Sequence, residues 1–319
     1  MSFSSFTKNE LSRIPIKNKC CAKAELAAIV RMNGIIQING KNRMSLKFAT
    51  ENAAIARRIF SLLKAMYNTD VDVMVRRNKQ LKKNNNYLIV VRNTRSTKKI
   101  LEDIGLIRTN GDDYFQVDYK IPQDIINKRC CKRSFIRGAF LGGGSISNPE
   151  KTYHLEFVTT NEEHGKELSD LINSFGLSSK IVLRKENFVI YLKEGEQIVD
   201  LLNIMGAHLA LLKLEDIRVL KDVRNNINRI VNCETANLSK TIDASLRQIE
   251  NIEYIDRIIG LEKLPKNLSD LAYLRLEHRD ASLKELGAML NPPVGKSGVN
   301  HRFRRIEEIV DNLKKERGS

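Results

Sequence analysis

The sequence predicts an α+β chain in which one α-β-β-α-β-β-α unit occurs twice and is followed by an all-α third. Three observations lead there. Cys20-Cys21, with a small-residue helix that ends at Gly34, returns as Cys130-Cys131 and Gly144 at a constant offset of 110 residues. Behind each copy, apolar residues first alternate and then step by three and four, as hairpins and helices require in turn. From around Leu214 onward only the helical period survives. The expected divisions are 1–112, 113–222 and 223–319, with Lys221-Asp222-Val223-Arg224 marking the last boundary.

Each element has a local reason. Thr7-x-x-Glu10 has the form of a helix capping box. Ala24, Ala27 and Ala28 give the first motif helix a surface that a second helix can approach closely. Residues 35–38 and 44–48 form a hairpin about Asn39-Gly40-Lys41-Asn42, because Asn-Gly between apolar runs is a strong turn signal. Ile55, Ile59, Leu62, Leu63 and Met66 line one face of a helix over 52–67. Residues 71–75 and 87–91 are the next strands, and a helix closes the unit at Gly105.

The second copy repeats this order. Its motif helix carries Gly138, Ala139 and Gly142 as small contacts. Strands flank Asn148-Pro149-Glu150, a helix covers 162–175, strands follow at 180–183 and 188–192, and a helix ends at Gly206. Thr50 and Thr160 keep the offset of 110, whereas Gly105 and Gly206 have lost nine residues of it to a longer basic loop in the first copy, 76–86.

In the last third, Ile242, Leu246, Ile249, Ile252, Ile255 and Ile259 share one face of a polar helix over 225–260. A helix over 265–277 turns Leu268, Leu271, Ala272 and Leu274 inward. Ser282 caps a helix over 283–290, and Asn291-Pro292-Pro293 stops it. Ser297 is expected to cap the next helix, whose apolar face is Val299, Phe303, Ile306, Val310 and Leu313. This is a helix-turn-helix with a basic second helix. Arginine matches guanine O6/N7, asparagine matches adenine N6/N7, and a helix N-terminus suits a phosphate oxygen. The expected DNA contacts are Ser282, Lys284, Lys296, Ser297, Asn300, His301, Arg302, Arg304 and Arg305. Arg76, Arg77, Lys79, Lys82 and Lys83 of the basic loop are expected as secondary phosphate contacts.

The charge balance agrees with a polyanionic partner: the 319 residues carry a formal +16, with a pI near 9.6. No apolar run reaches the ~18 residues of a membrane span, and the first residues lack an apolar signal core. A cytoplasmic, nucleoid-associated protein is expected. The vicinal pairs Cys20-Cys21 and Cys130-Cys131 lack the C-x-x-C spacing of zinc sites, and read as small buried apolar residues in a reducing compartment. No metal and no cofactor are expected. Gly142-Gly143-Gly144 lacks the ending of a phosphate-binding loop and reads as a helix end packed against its twin.

The duplicated unit, with its paired small-residue helices, resembles the LAGLIDADG fold of homing endonucleases. That resemblance implies a two-lobed saddle with the motif helices at its centre. In such nucleases each helix end supplies a carboxylate to a divalent metal. The matching positions are Asn33 and Gly143, and neither can supply one; Glu25 lies about two turns away. With the helix-turn-helix added, the whole chain resembles the WhiA family of bacterial regulators. The most specific runs are Ala24-Glu25-Leu26 through Arg31-Met32-Asn33-Gly34, Thr50-Glu51-Asn52-Ala53-Ala54-Ile55-Ala56-Arg57-Arg58, Phe135-Ile136-Arg137-Gly138-Ala139-Phe140, Arg229-Ile230-Val231-Asn232-Cys233-Glu234-Thr235-Ala236-Asn237 and Lys296-Ser297-Gly298-Val299-Asn300-His301-Arg302.

Membership implies a DNA-binding regulator tied to sporulation in actinobacteria, and to cell division and chromosome segregation in other Gram-positive bacteria. The Lys- and Asn-rich composition favours the division role. The expected function is therefore that of a non-enzymatic, sequence-preferring regulator of transcription, with double-stranded DNA as partner and another transcription factor as a second one. Two alternatives stand beside it. One is a LAGLIDADG homing endonuclease or intron maturase that retains catalysis. The other is an adaptor that binds protein and touches DNA only weakly.

Overall fold

The computed structural model describes residues 2–39, 43–77, 85–110 and 114–317. It divides into two compact units, Met1–Lys221 and Asp222–Ser319, each with its own hydrophobic core. The first unit opens with α1 (Phe3–Leu11). The first copy follows as α2 (Lys19–Asn33), β1 (Ile35–Asn39), β2 (Arg43–Thr50), α3 (Ala53–Tyr67), β3 (Asp72–Arg77), β4 (Asn85–Val91) and α4 (Thr94–Asp103). A short hairpin, β5 (Ile107–Asn110) and β6 (Tyr114–Val117), comes before the second copy. That copy is α5 (Arg129–Gly143), β7 (Gly144–Ile146), β8 (Leu155–Thr159), α6 (Glu162–Asn173), β9 (Lys180–Arg184), β10 (Asn187–Leu192) and α7 (Gly195–Met205). Apart from the two-stranded β5–β6, the described strands form two antiparallel sheets of identical order, β1-β2-β4-β3 and β7-β8-β10-β9. The duplication is thus a duplication of topology.

Several local expectations need correction. Thr7 caps nothing. The cap lies five residues earlier at Ser2, whose hydroxyl accepts from the Ser5 amide, and the buried Thr7 hydroxyl donates to the Phe3 carbonyl inside the helix. The partner of Thr50 is Thr159 rather than Thr160. Each of the two hydroxyls accepts from the amide of an asparagine, Asn52 or Asn161, which then caps α3 or α6. The hairpin β5–β6 carries no counterpart in the second copy, which runs instead into α8 (His208–Ile258), so the repeat could not announce it. The expected boundary at 221–224 coincides with the division between the two units, although α8 runs through it unbroken. Residues 40–42 of the first hairpin turn lie outside the described residues.

The centre of the first unit is the contact between α2 and α5. Ala24, Ala27 and Ala28 on one helix, and Gly138 and Ala139 on the other, are all buried. A β-carbon at Gly138 would be driven into the Glu25 carbonyl and would stand 3.0 Å from the Ala28 β-carbon. One at Gly142 would stand 2.8 Å from the Met32 β-carbon. Glycine is required here because backbone meets backbone.

Burial at this centre extends to charge. Glu25 is 1% exposed and accepts a bidentate pair from Arg58, Nε to Oε1 at 2.6 Å and Nη2 to Oε2 at 2.8 Å. Arg137 of α5 approaches the same carboxylate at 3.2 Å. One acid therefore ties α2 to α3 and to the twin helix. Arg31, also buried, donates to the carbonyls of Ala27, Ile104, Gly105, Tyr119 and Lys120. It fastens the end of α4 and the linker to the second copy. Burial brings its guanidinium down to about 10, so it stays charged at neutral pH.

The cysteines are the largest departure. Cys20 and Cys130 are exposed, Cys21 is half-buried, and only Cys131 is buried. They occupy the first turns of α2 and α5, where helix N-termini face the surface, so the expectation of four buried apolar fillers fails.

The second unit contains most of α8, then α9 (Lys266–Glu277), α10 (Leu283–Met289) and α11 (Lys296–Arg317). Its core gathers Ile252, Ile255, Leu268, Leu271, Leu286, Val299, Phe303, Ile306 and Val310. Ile242 and Leu246, expected on the buried face of α8, are about half exposed, because packing begins only at Ile249. Among the described residues no helix is long and apolar enough to cross a membrane.

Gly138→Ala should cost about 1–3 kcal/mol of unfolding free energy, as expected for overpacking a filled contact. Urea denaturation of the full chain checks this. An unchanged midpoint would mean that the two helices do not meet as described.

Candidate nucleic-acid interface

The second unit builds a surface from three local devices. Ser282 and Glu285 form a reciprocal capping box at the start of α10: the Ser282 hydroxyl accepts from the Glu285 amide at 3.3 Å, and the Glu285 carboxylate accepts from the Ser282 amide at 2.7 Å. The Val294 amide donates to the Gly287 carbonyl at 2.8 Å, which folds the turn back onto α10. A β-carbon at Gly287 would collide with the Val294 carbonyl, so this approach also demands glycine. Finally, the Arg275 guanidinium is 2% exposed and donates to Gln248 Oε1 and to the carbonyls of His278, Arg279 and Ala281, while lying 5.5 Å over the Phe303 ring. It holds the loop into α10 against α8 and α11. The expected inward set on α9 omitted it, although its spacing from Leu268, Leu271 and Ala272 places it on that face.

On this frame α11 buries Val299, Phe303, Ile306 and Val310 and turns the opposite side outward. Lys296, Ser297, Asn300, His301, Arg304 and Arg305 are exposed, as is Lys284 on α10. Arg302 is not on the outermost line; half-buried, it leans toward α9 and donates to the Asn267 carbonyl at 3.3 Å. Ser297 does not cap the helix, which begins at Lys296 with the Val299 amide bonded to the Gly295 carbonyl. Ser282 is committed to its capping box. Asn300 and Arg304 border a small groove of about 190 Å³ shared with Arg247 and Asn251 of α8, and Arg247 was not anticipated. The basic stretch of α11 gives way to acid at Glu307 and Glu308, and Glu308 pairs with Arg305 at 3.0 Å.

The secondary contacts fare unevenly. Arg76 is exposed on β3, and Arg77 ends that strand with its side chain outside the described atoms. Lys79, Lys82 and Lys83 lie outside the described residues. The open face of the first sheet adds Arg43 and Lys47, which line a groove of about 370 Å³ with Gln37, Ser45 and Arg92. They alternate along β2 with the buried Met44, Leu46 and Phe48, a period-two signal that could have located them.

At the ends of the motif helices, the Asn33 amide donates to the Ala49 carbonyl at 3.1 Å, which holds the side chain against its own sheet. At Gly143 a β-carbon would stand 2.5 Å from the Met32 Cε and 2.8 Å from the Val158 carbonyl. No carboxylate occupies either position, and the second has no room for one without displacing its neighbours.

A duplicated core of this topology, joined to a helix-turn-helix, defines a class: LAGLIDADG-like proteins that carry a DNA-binding module. Comparison narrows it. The WhiA N-terminal LAGLIDADG-like domain matches residues 19–107, the WhiA LAGLIDADG-like domain matches 132–224, and the WhiA C-terminal HTH domain matches 227–310. The chain is 58% identical to the probable cell division protein WhiA of Alkaliphilus metalliredigens, covering 100% of this chain and 99% of that one. It is 56% identical to its namesake in Clostridium botulinum, covering 98% and 99%. The crystal structure of full-length DUF199/WhiA from Thermatoga maritima superposes with a TM-score of 0.60 at 26% identity, over 98% of this chain and 99% of that one. The chain belongs to the WhiA family.

Ser282→Ala should cost about 1 kcal/mol of stability through the lost cap. Ser282→Asp should retain that stability, because aspartate caps as well as serine. If the Ser282 edge of α10 faces phosphate, the aspartate variant should also bind duplex DNA more weakly than wild type. Thermal melts and binding isotherms on the two variants separate the roles.

Proposed function

We propose that this protein is a non-enzymatic, sequence-preferring DNA-binding regulator that reads duplex DNA through α11. The observation that carries the reading is the outward line Lys296, Ser297, His301, Arg304 and Arg305, on a helix whose other side is locked into a core. The residues nearest the helix N-terminus suit base edges and phosphates, and the later acids, Glu307 and Glu308, confine the contact to the first turns. Lys284 and basic groups of the first sheet, the exposed Arg43 and Arg76 and the half-buried Lys47, supply the sequence-independent term, to which Arg77, Lys79, Lys82 and Lys83 belong by charge. Asn300 and Arg302 flank the reading line as positioning contacts. The curated relatives are called probable cell division proteins, which supports a role in division for this chain too.

The geometry at Asn33 and Gly143 supports the absence of nuclease activity, since metal-assisted cleavage needs a carboxylate from each helix. One further observation favours a protein partner, such as another transcription factor, besides DNA: Ile227, Ile230, Leu238, Ile242 and Leu246 along α8 are exposed apolar side chains.

The triple variant His301→Ala/Arg304→Ala/Arg305→Ala should weaken duplex binding by about tenfold or more and flatten the salt dependence by roughly one unit of slope per lost phosphate contact. Fluorescence anisotropy across a salt series measures both. Unchanged binding would move the interface elsewhere. Supercoiled plasmid incubated with the wild-type protein and Mg²⁺ should remain uncut; metal-dependent nicking that survives purification would restore the nuclease reading.

A further inference from the structure

We propose that Cys20, Cys21, Cys130 and Cys131 form a tetrathiolate site for one zinc-class metal ion, clamping the N-termini of the two motif helices together. The four sulfur atoms lie within 4.8 Å of one another, and Cys130 and Cys131 are 4.0 Å apart. A tetrahedral ion with metal–sulfur bonds of ~2.3 Å needs sulfurs roughly 3.8 Å apart. The sulfurs are thus already within about 1 Å of that separation. Among the described residues this is the one cluster of metal-ligating side chains so disposed.

The surroundings suit the charge that such a site creates. Binding Zn²⁺ releases four thiol protons to solvent and leaves a centre of net charge −2. Both vicinal pairs sit in the first turn of a helix, where the macrodipole and free amides favour anions. The starts of α2 and α5, like those of α7 and α9, have no side-chain cap to compete for their amides. No acid lies in either first turn, and Lys19, Lys128 and Arg129 flank the pairs. A cleft of about 350 Å³ lined by Lys17, Asn18, Cys21, Cys130 and Arg133 leaves an entry path. Vicinal cysteines fail the usual spacing rule because each helix supplies only half the ligands; the duplication supplies the rest.

The test uses the full chain, purified under reducing conditions, stripped with a chelator, and reloaded with zinc or cobalt. Elemental analysis should find about one metal per chain, and the cobalt form should show thiolate charge-transfer and tetrahedral visible bands. A thiol reagent should titrate all five cysteines of the stripped protein, but after zinc loading only Cys233 should react rapidly. Cys20→Ser/Cys130→Ser, which changes only exposed side chains, should keep its fold by circular dichroism and lose both metal and bands; Cys233→Ser should keep them. Zinc should raise the melting temperature of wild type and leave that of the double variant unchanged. Failure to retain metal, or a cross-helix disulfide by peptide mapping in place of metal under the same conditions, would overturn the proposal.

Discussion

Everything in the first unit follows from two helices touching along their backbones. Gly138 and Gly142 remove the side chains that would otherwise hold α5 away from α2, and Ala24, Ala27 and Ala28 do the same from the other side. Such contact is rich in dispersion. The polar anchoring is buried beside it. Glu25 collects Arg58 from α3 and Arg137 from α5, so a single buried acid closes the junction of three helices. Removing any member would strand charge in the interior, a far larger penalty than the net worth of the pair. The network's value lies in fixing one arrangement of the copies.

The copies have diverged around that shared contact. Arg31, the buried clamp on the linker, corresponds by offset to Leu141, and Arg137 corresponds to Ala27. The first copy thus buries two guanidiniums, Arg31 and Arg58, whereas Arg137 of the second is half-buried, and the three have different tasks. Arg31 satisfies carbonyls at the end of α4 and in the chain leading to the second copy. The second copy has no such linker to hold, because α7 hands the chain to α8, whose first amides, at Leu209 and Ala210, are capped by the Glu10 carboxylate from α1. Symmetry ends where connectivity ends.

Most of the fold was legible because its signals are periodic and local. The repeat offset, the apolar face of α3 and the apolar stripe of α11 each report a nearest-neighbour preference that tertiary context did not override. What escaped was set by long-range geometry. The hairpin β5–β6 belongs to one copy alone. Arg275 is a charge on an apolar face, intelligible only once the carbonyls of residues 278–281 are seen to converge on it. The outward rank of side chains on α11 depends on which flank meets α9, so Arg302 could not be told from Arg305 by sequence. Ser282 looked equally suited to capping and to phosphate, and the reciprocal bond to Glu285 decides only the first.

The cysteines fall between these cases. Their pairing at a fixed offset was visible in the sequence but their convergence was not, because metal-site spacing rules describe ligands brought together along one chain segment. Here the ligands converge across a pseudo-symmetry axis, and the same helix contact that forces glycine at 138 dictates their proximity. The two ends of the motif helices then carry opposite consequences of one arrangement. At the C-terminal ends, close approach combined with Asn33 and Gly143 leaves no acidic pair. At the N-terminal ends, the same approach assembles four sulfurs beside the positive ends of two helix dipoles. A scaffold that no longer positions oxygen ligands at one end can still position sulfur ligands at the other, because both depend on the distance between the helix axes and not on what the intervening residues once did.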